Sequence, residues 1–529
     1  MLGSLNRSIL PALLLSSAAY ALTKRSDGDV GFDEWVDTQY KAAVTRLNSN
    51  LHVYESEPDV FKGAMVASPS KKNPDYFYHW TRDSALTMSC VVDYIKDTAN
   101  AGYNTCNDPY SVGKTANDFD EFINYYINFT NFLVKYRRHP VSDLGEPKFY
   151  MNGTLFLDPW GRPQNDGPAE RSITNIQYFN LLMSTNNFRS QQVDGVDFLN
   201  NVLMCDSCVL TQDLKYLEAN YTQPNFDVWE EVSGTHFYNM IATSKAFKLA
   251  SQLYDEVYDN QPMASKYEIL YRKTLDFAST GFWNSTSQIL MSTIDYKEGV
   301  YKTYDFLDAT VVLAWIHTFE DGDFFIKSND MLSKTLQTVK RLIEVNSEIY
   351  TVNDPSFGAP GIAIGRYPSD KYNGYDSFTL GNPWLLLTSG VSEFFYKFSI
   401  SAETRGKFIY NSQMRDFLLF SHNLLQAGSH DKVISSDLLN FINAPCDKTT
   451  ILYQSKHSEI FNGIQSLLAK TGDFFLKRVQ FHSLPDGSMA EQFNRETGKQ
   501  QGAPDLTWSY AAFMTAVNAR SRALSAIQN

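Results

Sequence analysis

Two short segments of the chain carry acidic residues in settings that suit acid–base chemistry. The first is residues 226–234, where Glu230 and Glu231 stand side by side directly after Trp229. Neighbouring side chains cannot share one face of a strand or a helix, so one glutamate can face a reacting bond while the other does not. Burial beside an indole and a nearby negative charge both disfavour ionisation, so such a glutamic acid would keep a proton to donate.

The second segment is residues 484–493, where a Pro-Asp-Gly turn at 485–487 leads into Glu491. Hydrolysis of a glycosidic bond needs a carboxylic acid that donates a proton and a second carboxylate that acts on water or on the sugar carbon. Taken alone, each segment is more typical of a solvated glutamate pair or an ordinary loop glutamate. Neither segment establishes a hydrolase by itself.

Other common catalytic patterns are missing from the sequence. There is no Gly-x-Ser-x-Gly and no His-Glu-x-x-His, and the glycines from Gly358 to Gly365 lack the spacing of a phosphate-binding loop. The formal net charge is −13 and no Lys/Arg-rich run is present, which argues against a nucleic-acid partner. We expect no metal and no organic cofactor, with water as the co-reactant.

The first 25 residues predict a leader that is removed on export. Residues 1–7 form a positively charged start, residues 9–21 are apolar, and Ala19-Tyr20-Ala21 fits a signal-peptidase site. The pair Lys24-Arg25 then predicts the end of a short pro-segment. The apolar stretch is too short to span a bilayer, so we expect a soluble exported protein without a membrane anchor, either released, wall-associated or vacuolar.

Four sequons and five cysteines agree with export. The sequons begin at Asn128, Asn152, Asn220 and Asn284. The cysteines are Cys90, Cys106, Cys205, Cys208 and Cys446, which allow two disulfides and one remaining thiol. The spacing of Cys205 and Cys208 also fits a redox motif or half of a zinc site, but we favour the simpler interpretation of a local disulfide or a buried thiol.

The hydrophobic pattern predicts an all-α protein. Apolar residues recur with helical spacing in about twelve segments, among them 119–133 and 409–426, and no sustained strand alternation is present. Residues 172–184 and 306–318 are apolar nearly all round, which is typical of buried helices. The connecting loops are long and rich in aromatic residues, and no Ser/Thr/Pro-rich linker divides the chain. We therefore expect one domain over residues 26–529.

Eight ordered stretches resemble the glucoamylases, family 15 of the glycoside hydrolases, especially the yeast and filamentous-fungal members. They are NPDYFYHWTRDSAL (73–86), GEPKF (145–149), WGRPQNDGPA (160–169), FDVWEEVSG (226–234), AIGRYP (363–368), GNPWLL (381–386), GSMAEQFNR (487–495) and DLTWSYAA (505–512). The resemblance covers most of the chain beyond the leader. It implies an (α/α)6 barrel, with six inner helices inside six outer ones and an active-site funnel built from the loops at one end.

The resemblance also implies roles for particular residues. Glu230 falls on the family's general acid and Glu491 on its general base, while Arg82 and Asp83 match the pair that grips the terminal glucose. The remaining matches surround the sugar: Tyr76 near the attacking water, Trp80, Trp160, Trp384 and Trp508 on the pocket walls, and Asp227, Trp229, Glu231 and Arg366 in the surrounding polar shell.

The implied activity is exo-hydrolysis with inversion. A closed pocket admits only a chain end, so we expect release of β-glucose from the non-reducing ends of starch, glycogen-like glucans and maltooligosaccharides, with α-1,4 bonds cut faster than α-1,6 bonds. Inversion predicts about 6.5–9.5 Å between the two carboxyl groups, which leaves room for water.

Two departures and two alternatives accompany this interpretation. Glu170 stands where the family usually has an apolar residue, and the chain ends soon after Trp508, so we expect no starch-binding module and weak action on granules. We expect a monomer. Another inverting enzyme on the same barrel, such as a trehalase or a dextran-acting exo-glucosidase, is one alternative. A non-catalytic carbohydrate-binding protein, which would bind maltose without turnover, is the other.

Overall fold

A computed structural model describes residues 30–100, 112–184, 195–319, 329–427, 433–446 and 448–528. Its helices are α1 (Val30–Leu51), α2 (Thr81–Asn100), α3 (Val112–Tyr136), α4 (Asp166–Ser184), α5 (Gly195–Phe198), α6 (Val209–Asn220), α7 (Phe237–Glu256), α8 (Gln261–Gly281), α9 (Thr303–Phe306), α10 (Thr310–Thr318), α11 (Asn329–Ile349), α12 (Leu385–Arg405), α13 (Ser412–Ala427), α14 (Ser436–Asn443), α15 (Ser458–His482) and α16 (Thr507–Gln528). The leader, including Lys24-Arg25, and Cys106 lie outside the described residues.

Six helices form a closed inner ring. Around this ring α2 packs on α4, α4 on α7, α7 on α10, α10 on α12, α12 on α16, and α16 packs back on α2. An outer layer surrounds it, with α1 packed on α16, α3 on α2, α6 on α4, α8 on α7, α11 on α10 and α15 on α12. Inner and outer helices alternate along the chain, and the predicted all-α (α/α)6 barrel is confirmed.

One predicted helix belongs to neither layer of the barrel. The segment 409–426 forms α13, which packs on α11 and α15, and the short helix α14 packs beside it on α15. Hydrophobic spacing shows that a helix has an apolar face, but not which partner that face meets. Counting periodic segments therefore gives about twelve helices where the described residues contain sixteen, four of them short, and it does not place each helix in the barrel.

Short strands, which the sequence pattern did not predict, brace the loops. They are β1 (Tyr78–Trp80), β2 (Lys148–Tyr150), β3 (Asn225–Phe226), β4 (Val232–His236), β5 (Trp283–Asn284), β6 (Ile289–Leu290), β7 (Thr293–Gly299), β8 (Lys407–Tyr410), β9 (Thr450–Tyr453), β10 (Gln492–Phe493) and β11 (Gln500–Gln501). All pairs are antiparallel, and the largest sheet has the order β3-β4-β7. Most are too short for alternation to be read from sequence, yet they satisfy backbone groups that the loops would otherwise leave unpaired.

The barrel interior is packed with apolar and aromatic side chains. Inner helix α10 is buried nearly all round, as its composition predicts, and its Trp315 packs on Phe394 of α12 with 4.9 Å between ring centroids. A buried bidentate pair joins the two layers, because Arg171 of α4 donates to both carboxylate oxygens of Asp213 on α6 at 2.7 and 2.8 Å. Removing one partner of such a pair costs about 3–5 kcal/mol, since the other charge stays buried.

The sites predicted for modification lie at or near the surface. Asn128 and Asn152 are exposed, whereas Asn220 and Asn284 are half-buried. Cys205 and Cys208 form a disulfide, in agreement with the simpler sequence interpretation. Among the described residues Cys90 is a buried free thiol and Cys446 a half-buried one. None of the described helices combines the length and the hydropathy of a membrane span.

Candidate active site

A cavity of about 290 Å³ opens at the end of the barrel where the inner helices begin. Twelve of the thirteen residues predicted for catalysis or substrate binding line it: Tyr76, Trp80, Arg82, Asp83, Trp160, Trp229, Glu230, Glu231, Arg366, Trp384, Glu491 and Trp508. Asp227 does not line it. Residues from segments more than 400 positions apart thus meet in one space.

Four of the lining residues lie on the first turns of inner helices or directly before them. Arg82 and Asp83 lie in the first turn of α2, Trp384 directly precedes α12, and Trp508 is the second residue of α16. The N-terminus of a helix carries unpaired N–H groups and a partial positive charge, which favours carboxylates and other oxygen acceptors. Three of the six inner helices therefore begin at the cavity.

Glu230 lies on one wall of the cavity with its side chain 13% exposed. Its carboxylate accepts a hydrogen bond from Trp80 Nε1 at 2.9 Å and another from Trp160 Nε1 at 2.7 Å. Gln164 Nε2 donates to it as well, at 3.1 Å. The sequence predicts that Trp229 and Glu231 set the surroundings of Glu230, but the polar groups of both side chains bond to other residues. Tertiary contacts, not sequence neighbours, set the surroundings of this carboxyl group.

A tight backbone turn directs the Glu230 side chain toward the cavity. Its φ of 67° lies in the left-handed region that non-glycine residues adopt rarely. Asp227 stabilises the turn, because its Oδ1 accepts from the backbone N–H groups of Glu231 and Val232 at 2.9 and 3.0 Å. Asp227 also pairs with Lys302 Nζ at 2.7 Å. The interpretation of Asp227 as part of the sugar-facing shell is therefore revised to a support of the turn.

Glu491 lies on another wall and is completely buried. Tyr76 Oη donates to its Oε1 at 2.8 Å, and Tyr372 Oη donates to its Oε2 at 3.3 Å. Burial raises the pKa of the Glu491 carboxyl to about 7, although the two tyrosine hydroxyls and nearby Arg366 favour the ionised form. A carboxylate with a raised pKa takes up a proton more readily than an exposed one.

The Arg82–Asp83 pair forms a polar wall. Arg82 Nη1 donates to Gln164 at 3.0 Å and to the buried carboxylate of Asp166 at 3.1 Å. Its Nε lies 3.2 Å from Asp83 Oδ1, and neither of these buried atoms makes a hydrogen bond of good geometry. Burial raises the pKa of Asp83 to about 6, and Arg82 opposes that rise. One donor and one acceptor are thus held side by side with capacity to spare.

Glu231 lies beside the same cavity in a separate ionic network. Arg366 Nη2 donates to its Oε1 at 2.8 Å, and Tyr367 Oη donates to its Oε2 at 2.5 Å. Arg366 is held in turn by Asp370, with contacts of 2.6 and 2.8 Å. Burial raises the pKa of Glu231, which Arg366 counteracts. The adjacent glutamates are therefore directed into different environments, as the sequence argument predicts.

Several supporting residues were not predicted from the sequence. Tyr372 contacts Glu491, Gln164 and Asp166 hold Arg82, and Asp308 accepts from Trp229 Nε1 at 3.0 Å. Gln164 and Asp166 belong to the stretch 160–169 that carries the family resemblance. Asp308 is the acidic residue in the largely apolar segment 306–318, which is a signal that could have found it.

Glu170 lies in the barrel interior, away from the cavity lining. It is buried on α4, where Tyr238 Oη donates to its Oε1 at 2.7 Å. Tyr238 Oη also lies 2.8 Å from His317 Nδ1. Burial raises the pKa of Glu170 to about 8. The departure from the family pattern is therefore accommodated by a polar chain between inner helices, and its consequence concerns stability more than the sugar-facing wall.

The described residues contain no group of three or more His, Cys, Asp or Glu that could hold a metal ion. The residues that face the cavity are carboxylates, guanidinium groups, hydroxyls and indoles. These groups suit a neutral, hydroxyl-rich ligand, because ring faces cover apolar sugar faces while the ionic groups bond to hydroxyls.

The barrel and the cavity together define a class of protein, an enzyme that works on carbohydrate at the loop end of an (α/α)6 barrel. The sequence profile of glycosyl hydrolases family 15 matches residues 40–518. The chain belongs to this family, and it is a glycoside hydrolase of the glucoamylase type.

Individual relatives agree with the family match. A glucoamylase of Blastobotrys adeninivorans is 30% identical over 487 residues, which cover 92% of this chain and 70% of that protein. The intracellular sporulation-specific glucoamylase of Saccharomyces cerevisiae is 28% identical over 503 residues, covering 94% and 85% of the two chains. The solved structure of the glucoamylase from Saccharomycopsis fibuligera superposes with a TM-score of 0.75 at 27% identity, covering 96% and 98%.

Proposed function

We propose that this enzyme releases β-glucose from the non-reducing ends of starch-like α-glucans and maltooligosaccharides, with inversion at the anomeric carbon. In this proposal Glu230 is the general acid and Glu491 the general base. The observation that carries it is that these two carboxyl groups line one cavity but are held by different donors and differ in burial. Glycosidases need two carboxyl groups with different tasks in one site.

The first step is protonation of the leaving oxygen. Glu230 is the more accessible carboxyl, and Glu231 and Arg366 line the same cavity, where the departing chain can be bound. As the C1–O bond breaks, the proton of Glu230 moves to the glycosidic oxygen, and the shortened chain leaves with a hydroxyl group. The indole N–H groups of Trp80 and Trp160 then stabilise the glutamate anion that remains.

The second part of the reaction is attack by water. Glu491 removes a proton from a water molecule while the water oxygen bonds to C1 from the face opposite the leaving group, which gives β-glucose. The raised pKa of Glu491 makes it a stronger base than an exposed carboxylate. Proton transfer is also most effective when the pKa of the base lies near the working pH. Exchange with solvent then returns the proton to Glu230 and removes it from Glu491.

The polar wall of the cavity supports the exo mode in this proposal. Arg82 and Asp83 line the cavity with charged groups that can bond to hydroxyl groups of a terminal glucose. A chain bound by its terminal unit at this wall is cut one glucose unit from its end, so cleavage releases single glucose units.

We also propose that the protein is exported, glycosylated and monomeric. Support comes from the predicted leader at residues 1–25 and from the four sequons, at least two of which present exposed asparagines. The relative from Saccharomyces cerevisiae is intracellular by name, so membership of the family does not determine the destination. Endoglycosidase treatment of culture supernatant and sedimentation of the product test these points.

The test of the proposed activity uses maltoheptaose with a fluorescent label at the reducing end. We expect unlabelled glucose and a ladder of labelled chains that shorten by one unit at a time. Trehalose and dextran serve as competing substrates. Labelled fragments that appear without the ladder would show internal cleavage, and preference for trehalose or dextran would identify one of the alternative enzymes. Maltose binding without turnover would show a carbohydrate-binding protein.

A further inference from the structure

One buried lysine joins two strained backbone turns. Lys302 lies in the loop after β7, and its side chain is only 1% exposed. Its Nζ donates to Asp227 Oδ2 and to Asp308 Oδ2, both at 2.7 Å, and both of these carboxylates are buried as well. Lysine is almost never fully buried unless its charge is paired. The ammonium group is therefore held at a fixed point between two distant segments of the chain.

The first of the two turns carries Glu230, whose φ is 67°. Asp227 Oδ1 stabilises this turn by accepting from the backbone N–H groups of Glu231 and Val232. The other oxygen of the same carboxylate accepts from Lys302. Because one rigid carboxylate makes both sets of bonds, the position of the lysine and the position of the turn depend on each other.

The residue before Glu230 connects to the same lysine. Trp229 Nε1 donates to both carboxylate oxygens of Asp308, at 3.0 and 3.1 Å, and Asp308 also accepts from Lys302. The backbone N–H of Thr310, in the first turn of α10, donates to Asp308 at 2.8 Å. Both neighbours of Glu230 are therefore held by carboxylates that share one ammonium group, and that group is anchored to an inner helix.

The second turn lies between Lys302 and Asp308. Its residues Tyr304, Asp305 and Phe306 have φ values of 55°, 54° and 58°. Residues other than glycine usually adopt this left-handed conformation singly, so a run of three persists only where surrounding contacts hold it. The ion pair between Lys302 and Asp308 closes across the run and stabilises it.

The strand before Lys302 packs directly on the turn that carries the acid. The backbone N–H of Val300 donates to the carbonyl of Glu231 at 3.0 Å. Gly299 has a φ of 102°, and a Cβ at this position would overlap the same carbonyl oxygen. The cavity lining does not include Lys302. The lysine can therefore affect a substrate only through the residues that it holds.

Mutual electrostatics keep this cluster ionised. Burial disfavours the ammonium form of Lys302, but Asp227 and Asp308 outweigh it and hold the pKa of the lysine above its ordinary value. Burial likewise disfavours the ionised form of Asp227, yet Lys302 helps to hold the pKa of that carboxyl below its ordinary value. Removing one partner of such a cluster leaves the other charges buried and uncompensated, so its geometry depends on all three.

We propose that Lys302 is a positioning residue for the general acid, because it holds the turn from which Glu230 reaches the cavity. This inference rests on the proposed function, in which Glu230 protonates the leaving oxygen. A displacement of about 1 Å at a reacting group can cost about 10²-fold in rate. Loss of the lysine should therefore impair proton donation and spare reactions that do not need the acid.

The experiment compares maltose with α-glucosyl fluoride as substrates of Lys302→Met. Maltose requires the acid, whereas fluoride leaves without protonation. We expect kcat/KM for maltose to fall about 10- to 100-fold, while the value for α-glucosyl fluoride stays within about threefold of the wild type. Lys397→Met is the matched control, because Lys397 pairs with buried Glu393 at 2.6 Å on inner helix α12, outside the cavity lining. Any loss in this control should be equal on both substrates.

A second variant decides the question if Lys302→Met does not fold. The double variant with Asp227→Asn removes one negative charge together with the positive one, so the net charge of the buried cluster is unchanged. The asparagine side chain keeps an oxygen that can accept from the N–H groups of the turn. We expect this variant to fold, as circular dichroism and thermal unfolding would show, and to lose activity on maltose selectively.

Equal losses on maltose and α-glucosyl fluoride would show that Lys302 only supports the fold, and no loss on either would show that the acid is positioned without it. The same selective loss in Lys397→Met would also overturn the inference. Glu230→Gln separates this inference from the proposed function. If Glu230→Gln itself shows no selective loss on maltose, the proposed role of Glu230 fails. If Glu230→Gln is selective and Lys302→Met is not, the inference alone is wrong.

Discussion

The walls that carry Glu230 and Glu491 differ in exposure, in backbone conformation and in the donors that hold each carboxyl group. Glu230 is partly exposed, sits in a left-handed turn and is held by indole N–H groups, one of them on Trp160, which is itself 40% exposed. Glu491 is buried, sits in paired backbone and is held by two tyrosine hydroxyls. One wall opens to the mouth of the cavity and the other is closed.

This difference matches the two tasks of an inverting hydrolysis. The acid must release a leaving chain, so it has to be accessible from the mouth. The base has to activate one water molecule, so it can be enclosed, and burial that raises its pKa also makes it a stronger base. In the proposed mechanism, access as well as charge therefore distinguishes the roles of the two glutamates.

The largest expected effect comes from Glu230→Gln and Glu491→Gln. Each removes a proton-transfer group, so we expect kcat on maltose to fall about 10²- to 10⁴-fold. α-Glucosyl fluoride separates the two, because fluoride leaves without protonation. Glu230→Gln should recover much of its rate on that substrate and Glu491→Gln should not. Recovery of Glu491→Gln instead would reverse the assignment of acid and base.

Tyr76→Phe tests the closed wall of the cavity, which carries Glu491. The Tyr76 hydroxyl favours ionised Glu491, so its loss should raise the pKa of Glu491 further. A base works only when ionised, so the acid limb of the kcat/KM profile should move to higher pH, with roughly tenfold lower activity on that limb. Tyr78→Phe, whose hydroxyl donates to Asp75, is the matched control. An unchanged acid limb in Tyr76→Phe would separate this tyrosine from the base.

Trp160→Phe tests the open wall with a smaller effect. It removes the indole N–H that lies 2.7 Å from Glu230 while keeping an aromatic ring. The bond is near solvent and Trp80 provides a second donor, so we expect kcat on maltose to fall only about two- to tenfold. Initial rates at saturating substrate measure this. A loss as large as that of Glu230→Gln would mean that the indole does more than orient the acid.

Glu170→Gln tests how burial changes the contribution to stability of a carboxyl group that does not face the cavity. The pKa of Glu170 is about 8 in the folded protein and about 4.3 in the unfolded chain. The contribution of this carboxyl group to the free energy of unfolding is therefore complete below about pH 4.3 and is lost as the pH rises toward 8. The amide has no proton to lose, so we expect little change in stability at pH 4 and a gain on the order of 1–3 kcal/mol near pH 7.5. Chemical denaturation at both pH values measures it. The exposed substitution Glu298→Gln is the control, and an equal change at both pH values would contradict the account.

Much of the site can be predicted because its residues stand in sequence stretches that resemble one family in order. Glu230 lies in a loop segment with an indole and three acidic residues, and Glu491 follows a Pro-Asp-Gly turn, but each segment alone is typical of an ordinary loop glutamate. Periodic apolar segments predict an all-α protein, since each helix has to bury one face. Local composition therefore gives the candidates and the helices, and the ordered resemblance gives the barrel and the roles of the residues.

The supporting contacts cannot be read in the same way. Lys302 binds Asp227 across 75 positions, and Trp229 bonds to Asp308 across 79, so the fold must exist before these pairs do. The left-handed backbone of Glu230 is also a result of the turn that Asp227 stabilises, not of any preference of glutamate. The resemblance implied that Asp227 belongs to the polar shell around the sugar, whereas the contacts of its carboxylate are with the backbone of the turn and with Lys302.

The most direct test of the central claim is proton NMR of the first glucose released from maltooligosaccharides. Anomeric signals followed before mutarotation report which face of C1 the water attacks. We expect β-glucose to appear first, with the α-anomer growing in only as the product equilibrates. If α-glucose appears first, the reaction retains configuration, and the assignment of Glu230 as acid and Glu491 as the base that activates water is contradicted.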